Sequence, residues 1–190
     1  MGFYPTESTM QNPPHLTDVK TLRSDARKHL EKGAVTADYS ADREAVIRLL
    51  NEALATELVC VLRYRRHYFM ARGIHARGIT AEFLAHSNEE LVHADLLAAR
   101  IVQLGGEPDF APDNLTGRSH AQYMPGSTLV DMIREDLVAE RVAINSYRDM
   151  IRYLGHDDPT TSDILKGILA VEEEHADELA DLLEDLPQSE

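Results

Sequence analysis

The chain has 190 residues, with 33 acidic against 19 basic side chains and a formal net charge of −14. That length suits one domain with a real core, and the charge argues against a generic nucleic-acid binder while suiting a protein that draws in cations. A lone cysteine, Cys60, excludes an internal disulfide framework and a four-cysteine iron site, and no run of residues is long and apolar enough to span a bilayer. The N-terminus shows no basic region followed by an apolar run, so a reducing, cytoplasmic location is expected.

Residues 1 to about 16 read as loose, with Pro5, Pro13 and Pro14 among polar side chains. Thr17 to Lys32 reads as a short amphipathic helix, with Leu22, Ala26 and Leu30 on one side and Gly33 as a stop. Together they form an expected N-terminal extension, 1–40, ahead of a bundle domain over 41–190. Basic residues here are matched in number by acidic ones, so this is no basic DNA-binding arm.

Four long helical patterns follow. Ser40 is the expected N-cap of the first, which ends at Gly73. Thr80 is the expected cap of the second, which stops at Gly105-Gly106. Ser127 or Thr128 caps the third, which stops at Gly155. Asp158 before Pro159 starts the fourth, which stops near Pro187. The first and last connections are short, so each pair forms an antiparallel hairpin. The middle one, about 20 residues rich in Pro and Gly, is long enough to run down the whole bundle. The expected fold is all-α: a four-helix bundle with one long crossover.

One motif is written twice along these helices. Glu57 is followed by Tyr64 and then by Glu90-Leu91-Val92-His93. Glu140 is followed by Tyr147 and then by Glu172-Glu173-Glu174-His175. Positions three apart share a helix face, so each half offers a lone carboxylate and a carboxylate–imidazole pair. All six ligand candidates interrupt the apolar stripe of their helix near its middle, beside residues such as Leu50, Leu97, Ile144 and Leu179. A buried carboxylate needs a partner, and four at one level repel unless cations intervene. Two divalent metals offset those charges, with the imidazoles as neutral ligands. Singly each motif is weak, and Glu172 lies in an acidic run that could be a solvated face. The complete set, twice and in phase with the core stripes, reads as a two-metal centre.

With these residues the chain resembles the ferritin-like superfamily, and bacterioferritin most closely. The matching stretches are Thr56-Glu57-Leu58-Val59, Glu89 to Asp95, Asp136 to Glu140 and Glu172 to His175, within about 41–186. The resemblance implies that Glu57 and His93 hold one iron, Glu140 and His175 the other, and that Glu90 and Glu172 bridge. Tyr64 corresponds to a tyrosine close to that centre and is the candidate catalytic residue, as an electron donor or a hydrogen-bond partner of a ligand. Leu91 stands where bacterioferritin has its haem-ligating Met, so no haem is expected. The chain ends soon after the fourth helix and carries an extension, which looks more like Dps-like mini-ferritins with a bacterioferritin-type site. That implies a homo-oligomer, a dodecameric cage.

The implied activity is a ferroxidase that oxidises Fe(II) with O2 or H2O2 at two irons per subunit, for iron storage and oxidative-stress protection. Manganese suits the same ligands, so a rubrerythrin-like peroxidase or a manganese catalase is an alternative. A structural DNA-coating cage is another, and the acidic balance speaks against it. Cys60 reads as a core residue, His86 as a surface histidine or an iron gate, and Asp177 to Asp185 as a mainly solvated acidic end. His67 and His75 carry no clear signal.

Overall fold

The computed structural model describes residues 16–73 and 76–186, and among these no strand occurs. They fall into two compact units, up to Ala37 and from Asp38 onward.

The first unit holds less helix than its apolar pattern suggests. Helix α1 covers only Val19–Asp25, capped by the Asp18 carboxylate, which accepts from the Lys20 and Thr21 amides at 3.0 Å. A short 3-10 turn, Leu30–Lys32, follows after His29 enters the left-handed region at φ +54°. No residue of either element is buried. An amphipathic stripe stabilises a helix only when it is covered, so the expected helix to Lys32 breaks early. Residues 1–15, expected to be loose, lie outside the described residues.

The second unit is the expected all-α four-helix bundle. Helices α2 (Arg43–Met70) and α3 (Ala76–Gln103) pack as one hairpin, and α5 (Leu129–Leu154) and α6 (Pro159–Asp185) as the other. At about 1.5 Å per residue each spans roughly 40 Å. Two expected starts were wrong. Asp42, not Ser40, caps α2 by accepting the Ala45 amide at 3.1 Å, while the Ser40 hydroxyl reaches Asp157. Thr80 lies inside α3, its hydroxyl donating to the Arg77 carbonyl at 3.1 Å. A threonine can bond back to its own helix as readily as cap it. Thr128 does cap α5, in a reciprocal box with Asp131, and Asp158 caps α6 with Pro159 in its first turn.

The crossover, with α4 (Leu115–Arg118) in its middle, is fastened along α2 in register. Asn51 binds the Glu107 carbonyl and the Asp109 amide, and Thr56 accepts the His120 amide. Further along, Arg63 donates to the Gln122 carbonyl, and Arg66 and His67 meet that of Pro125. Gly126 then turns the chain into α5 at φ +61°, where a Cβ would come within 2.8 Å of the Met132 amide.

The core fills the space between the hairpins, with Leu50, Leu54, Phe83, Leu97, Ile101, Ile133, Leu165 and Ile168 almost wholly buried. Burial of each such side chain stabilises by about 1.5–3 kcal/mol. A charged network is buried with them. Asp136 of α5 accepts from Arg63 Nε and faces His67 Nδ1, both at 2.7 Å, and all three side chains have zero exposure. His67, silent in the sequence, thus locks α2 to α5 and to the crossover.

Candidate metal centre

Each long helix delivers its motif residues to one level of the core. Glu57 comes from α2, Glu90 and His93 from α3, Glu140 from α5, and Glu172 and His175 from α6. All six are at most 4% exposed, whereas Glu173 and Glu174 face solvent. The acidic run on α6 therefore divides by helix periodicity, with Glu172 alone turned inward.

The six form two overlapping groups. Glu57, Glu90, His93 and Glu172 can each place one ligand atom within 4.8 Å of the others, and so can Glu90, Glu140, Glu172 and His175. Glu90 and Glu172 belong to both.

The tyrosines hold the lone glutamates from across the bundle. Tyr64 of α2 donates to Glu140 Oε1, and Tyr147 of α5 donates to Glu57 Oε1. Both phenols are buried, and burial together with the adjacent carboxylate pushes each well above its ordinary pKa, so they donate rather than ionise. The second oxygen of each lone glutamate has no hydrogen-bond partner, nor do Glu90 Oε1, both oxygens of Glu172, or His175 Nδ1.

The imidazoles cannot satisfy that many acceptors. His93 Nδ1 lies 3.1, 3.2 and 3.5 Å from oxygens of Glu172, Glu90 and Glu57, yet it carries at most one N–H. His175 Nδ1 is 3.7 Å from both Glu90 and Glu172. Its Nε2 sits 2.7 Å from Glu89 Oε2. An outer carboxylate holding the far nitrogen orients an imidazole for metal binding. Glu89 has a half-exposed side chain and earned no role from the sequence beyond its place beside Glu90.

Electrostatics show a cluster short of positive charge. Burial, then Glu172 and Glu90, push the Glu57 carboxyl well above the usual range, and burial with Glu90 and Glu172 does the same to Glu140. Burial opposes charge on Glu90 too, but contacts with His175 and His93 overcome it and pull its pKa down. Burial disfavours the His93 cation, yet Glu172, Glu57 and Glu90 push it up to about 12. His175 behaves alike, pushed up to about 10 by Glu172 and Glu90 against burial. Protons here do what divalent cations would do better, because a metal can face several of the bare oxygens at once. The unpartnered atoms and the mixed carboxylate–imidazole set fit a pair of such ions.

Cys60 lies beside this cluster, buried, with Arg63 Nη2 at 3.5 Å from its sulfur. Burial pushes its thiol well up, which keeps it neutral. His86 is not at the surface: it is 1% exposed and pairs with Glu178 of α6 at 2.8 Å. His75 lies outside the described residues. No helix among the described residues is long and apolar enough to cross a membrane.

Known proteins share this architecture. The ferritin-like domain family matches residues 47–189. A bacterioferritin of Mycobacterium bovis is 32% identical over 140 residues, covering 73% of this chain and 84% of that protein. One from Streptomyces coelicolor is 31% identical over 148 residues, covering 76% and 84%. A solved structure described as a dodecameric thioferritin, the bacterioferritin-related protein from Bacteroides fragilis, aligns with a TM-score of 0.73 at 33% identity, covering 76% of this chain and 87% of that one. Dps from Thermosynechococcus elongatus aligns at 0.71 with 21% identity, covering 77% and 93%, a likeness of fold. With a family match over most of its length, this chain belongs to the ferritin-like proteins.

Proposed function

We propose that the protein is a ferroxidase that binds two Fe(II) per subunit as substrate and oxidises them with O2 or H2O2, for storage and detoxification of iron. The observation that carries this reading is the set of unpartnered buried ligand atoms on Glu57, Glu90, Glu140, Glu172 and His175. Glu57 and His93 would hold one ion and Glu140 and His175 the other, with Glu90 and Glu172 shared. Two bound ferrous ions supply two electrons, which reduce H2O2 with two protons to water, or O2 with two protons to H2O2.

The chain's residues do the rest. Tyr147 and Tyr64 fix the rotamers of Glu57 and Glu140 by holding one oxygen of each. Glu89 fixes the ring of His175. Protons displaced from the carboxyls and imidazoles on loading can pass from His175 to the half-exposed Glu89. Tyr64 is in addition the proposed electron relay: its phenol passes one electron to the oxidant and its proton to Glu140, whose oxygen already accepts it, and a ferrous ion returns that electron, so the two ferrous ions remain the net donors. The bacterioferritin relatives support iron as the metal, and the dodecameric Bacteroides fragilis structure supports a hollow homo-oligomer.

An anaerobic Fe(II) titration tests this. It should show two ions bound per subunit, oxidised together when O2 or H2O2 is added. Binding without oxidation by either oxidant would end the ferroxidase reading.

A further inference from the structure

The groove between α2 and α5 has two halves that the internal repeat makes equivalent. The shift that carries Glu57 onto Glu140 and Tyr64 onto Tyr147 carries Ala45, Arg48 and Leu49 onto Thr128, Asp131 and Met132. It also carries Arg63, Arg66, His67 and Met70 onto Ser146, Asp149, Met150 and Tyr153. One half lies between the end of α2 and the start of α5. The other lies between the start of α2 and the end of α5.

The chain itself fills the first half. A non-helical stretch of the crossover, Gln122 to Gly126, runs through it. Arg63 donates to the Gln122 carbonyl at 3.2 Å, and the Pro125 carbonyl meets Arg66 and, at 3.0 Å, His67 Nε2. Gly126 packs on the Met132 amide. The occupant is thus a proline-containing segment without helix, held mainly by its backbone carbonyls.

The second half is open. Ala45 and Leu49 of α2 and Met150 and Tyr153 of α5 line a cavity of about 560 Å³ there, together with Arg48 and Asp149. His120 borders it toward the filled half, with Nδ1 3.0 Å from Ser146 Oγ. Tyr153 is 55% exposed. Neither Arg48 nor Tyr153 has a hydrogen bond or an ion pair among the described residues. The open half therefore has an apolar floor, an exposed aromatic ring and two uncommitted donors, at positions equivalent to those that clasp the crossover.

We propose that this open half is a docking site for an extended, proline-bearing segment of a partner protein, held as the crossover is held in the equivalent half. Arg48 and the Tyr153 hydroxyl donate to its carbonyls, in place of Arg63, Arg66 and His67. The Tyr153 ring, with Ala45, Leu49 and Met150, takes the proline. Grooves lined by aromatic rings bind proline-rich segments because such segments are already extended and lose little entropy on docking. Tyrosine and arginine are the side chains that most often carry the binding energy of such contacts. The site is independent of the metal centre and of the ferroxidase reading.

The probe is a fluorescent peptide that copies Ser119 to Ser127, titrated with the full chain and followed by anisotropy. The expected result is saturable binding with a dissociation constant below about 1 mM. R48E and Y153A in the protein, and P125A in the peptide, should each weaken it by about tenfold or more. V138A, at an exposed position of α5 that does not line the cavity, should leave it unchanged. No saturation up to about 1 mM would overturn the proposal. So would equal affinity in R48E, Y153A and the wild type, since the peptide would then be displacing the crossover from the filled half. With the photocrosslinker p-benzoylphenylalanine at exposed Asp149, irradiation should attach the peptide to the protein. Attachment of a second copy of the chain instead would show the groove to be an interface between subunits and would likewise overturn the proposal.

Discussion

Tyr147, on α5, donates its hydroxyl to the Glu57 carboxylate on α2. Tyr64 does the same for Glu140 in the opposite direction, so each hairpin orients the lone glutamate of the other. Removing a hydroxyl from such a supporting residue costs roughly 10–100-fold in metal affinity. Y147F and Y64F should each weaken Co(II) binding by about that factor in an equilibrium titration. Y64F should also slow oxidation in fully loaded protein, and Y147F should not. Equal rates for the loaded variants would remove Tyr64 as an electron relay and leave it a positioning residue.

Glu90 and Glu172 belong to both ligand groups, whereas Asp181 is an exposed member of the acidic end of α6. E90A and E172A should therefore lower the initial rate of Fe(II) oxidation by about 100-fold or more, since a lost shared ligand breaks both groups. D181A should stay close to wild type. Comparable rates in all three variants contradict the assignment.

The histidines set the sign of the pH response. In the metal-free protein His93 and His175 hold their protons more tightly than an unfolded chain does, up to about 12 and about 10 against an ordinary 6.5. Their stabilisation is complete below pH 6.5 and is lost as pH rises through those values. Raised pKa values on Glu57 and Glu140 act in the same direction. The Tm of the metal-free protein should fall from about pH 6.5 toward 10. Co(II) competes with the same protons, so the increase in Tm that it produces should grow over that range. Calorimetry with and without Co(II) checks both. A metal increment that shrinks as pH rises is the contrary result.

Asp136 carries the carboxylate that holds Arg63 and His67 inside the bundle. D136A leaves an uncompensated guanidinium in the core. Loss of one partner from such a network destabilises by about 3–5 kcal/mol. Chemical denaturation of the metal-free protein should show that loss, and a change under 1 kcal/mol would mean that the network relaxes to water.

A dodecameric assembly is expected in solution. Light scattering at micromolar concentration and near-neutral pH should give a mass near twelve subunits. A mass near two would reject a cage. One near twenty-four would keep storage as the function and place the chain with larger ferritin shells.

The four long helices, the crossover and the six inward residues were legible in the sequence because each rests on a local rule, whereas α4 inside the crossover was not. Helical periodicity places Glu57, Glu90, His93, Glu140, Glu172 and His175 on apolar stripes, and burial of so many carboxylates has few physical solutions. The exact starts of α2 and α3 were not legible. Ser40 and Thr80 have the chemistry of caps, but competing bonds to Asp157 and to the Arg77 carbonyl decided their use. Periodicity likewise suggested a helix to Lys32, where none of the residues of α1 or of the 3-10 turn is buried. Only the tertiary structure could give His67 and His86 their partners, Asp136 and Glu178, which lie 69 and 92 positions away. It also decided which tyrosine serves which glutamate. Such pairings depend on how two hairpins face each other, and spacing along one helix carries no record of that.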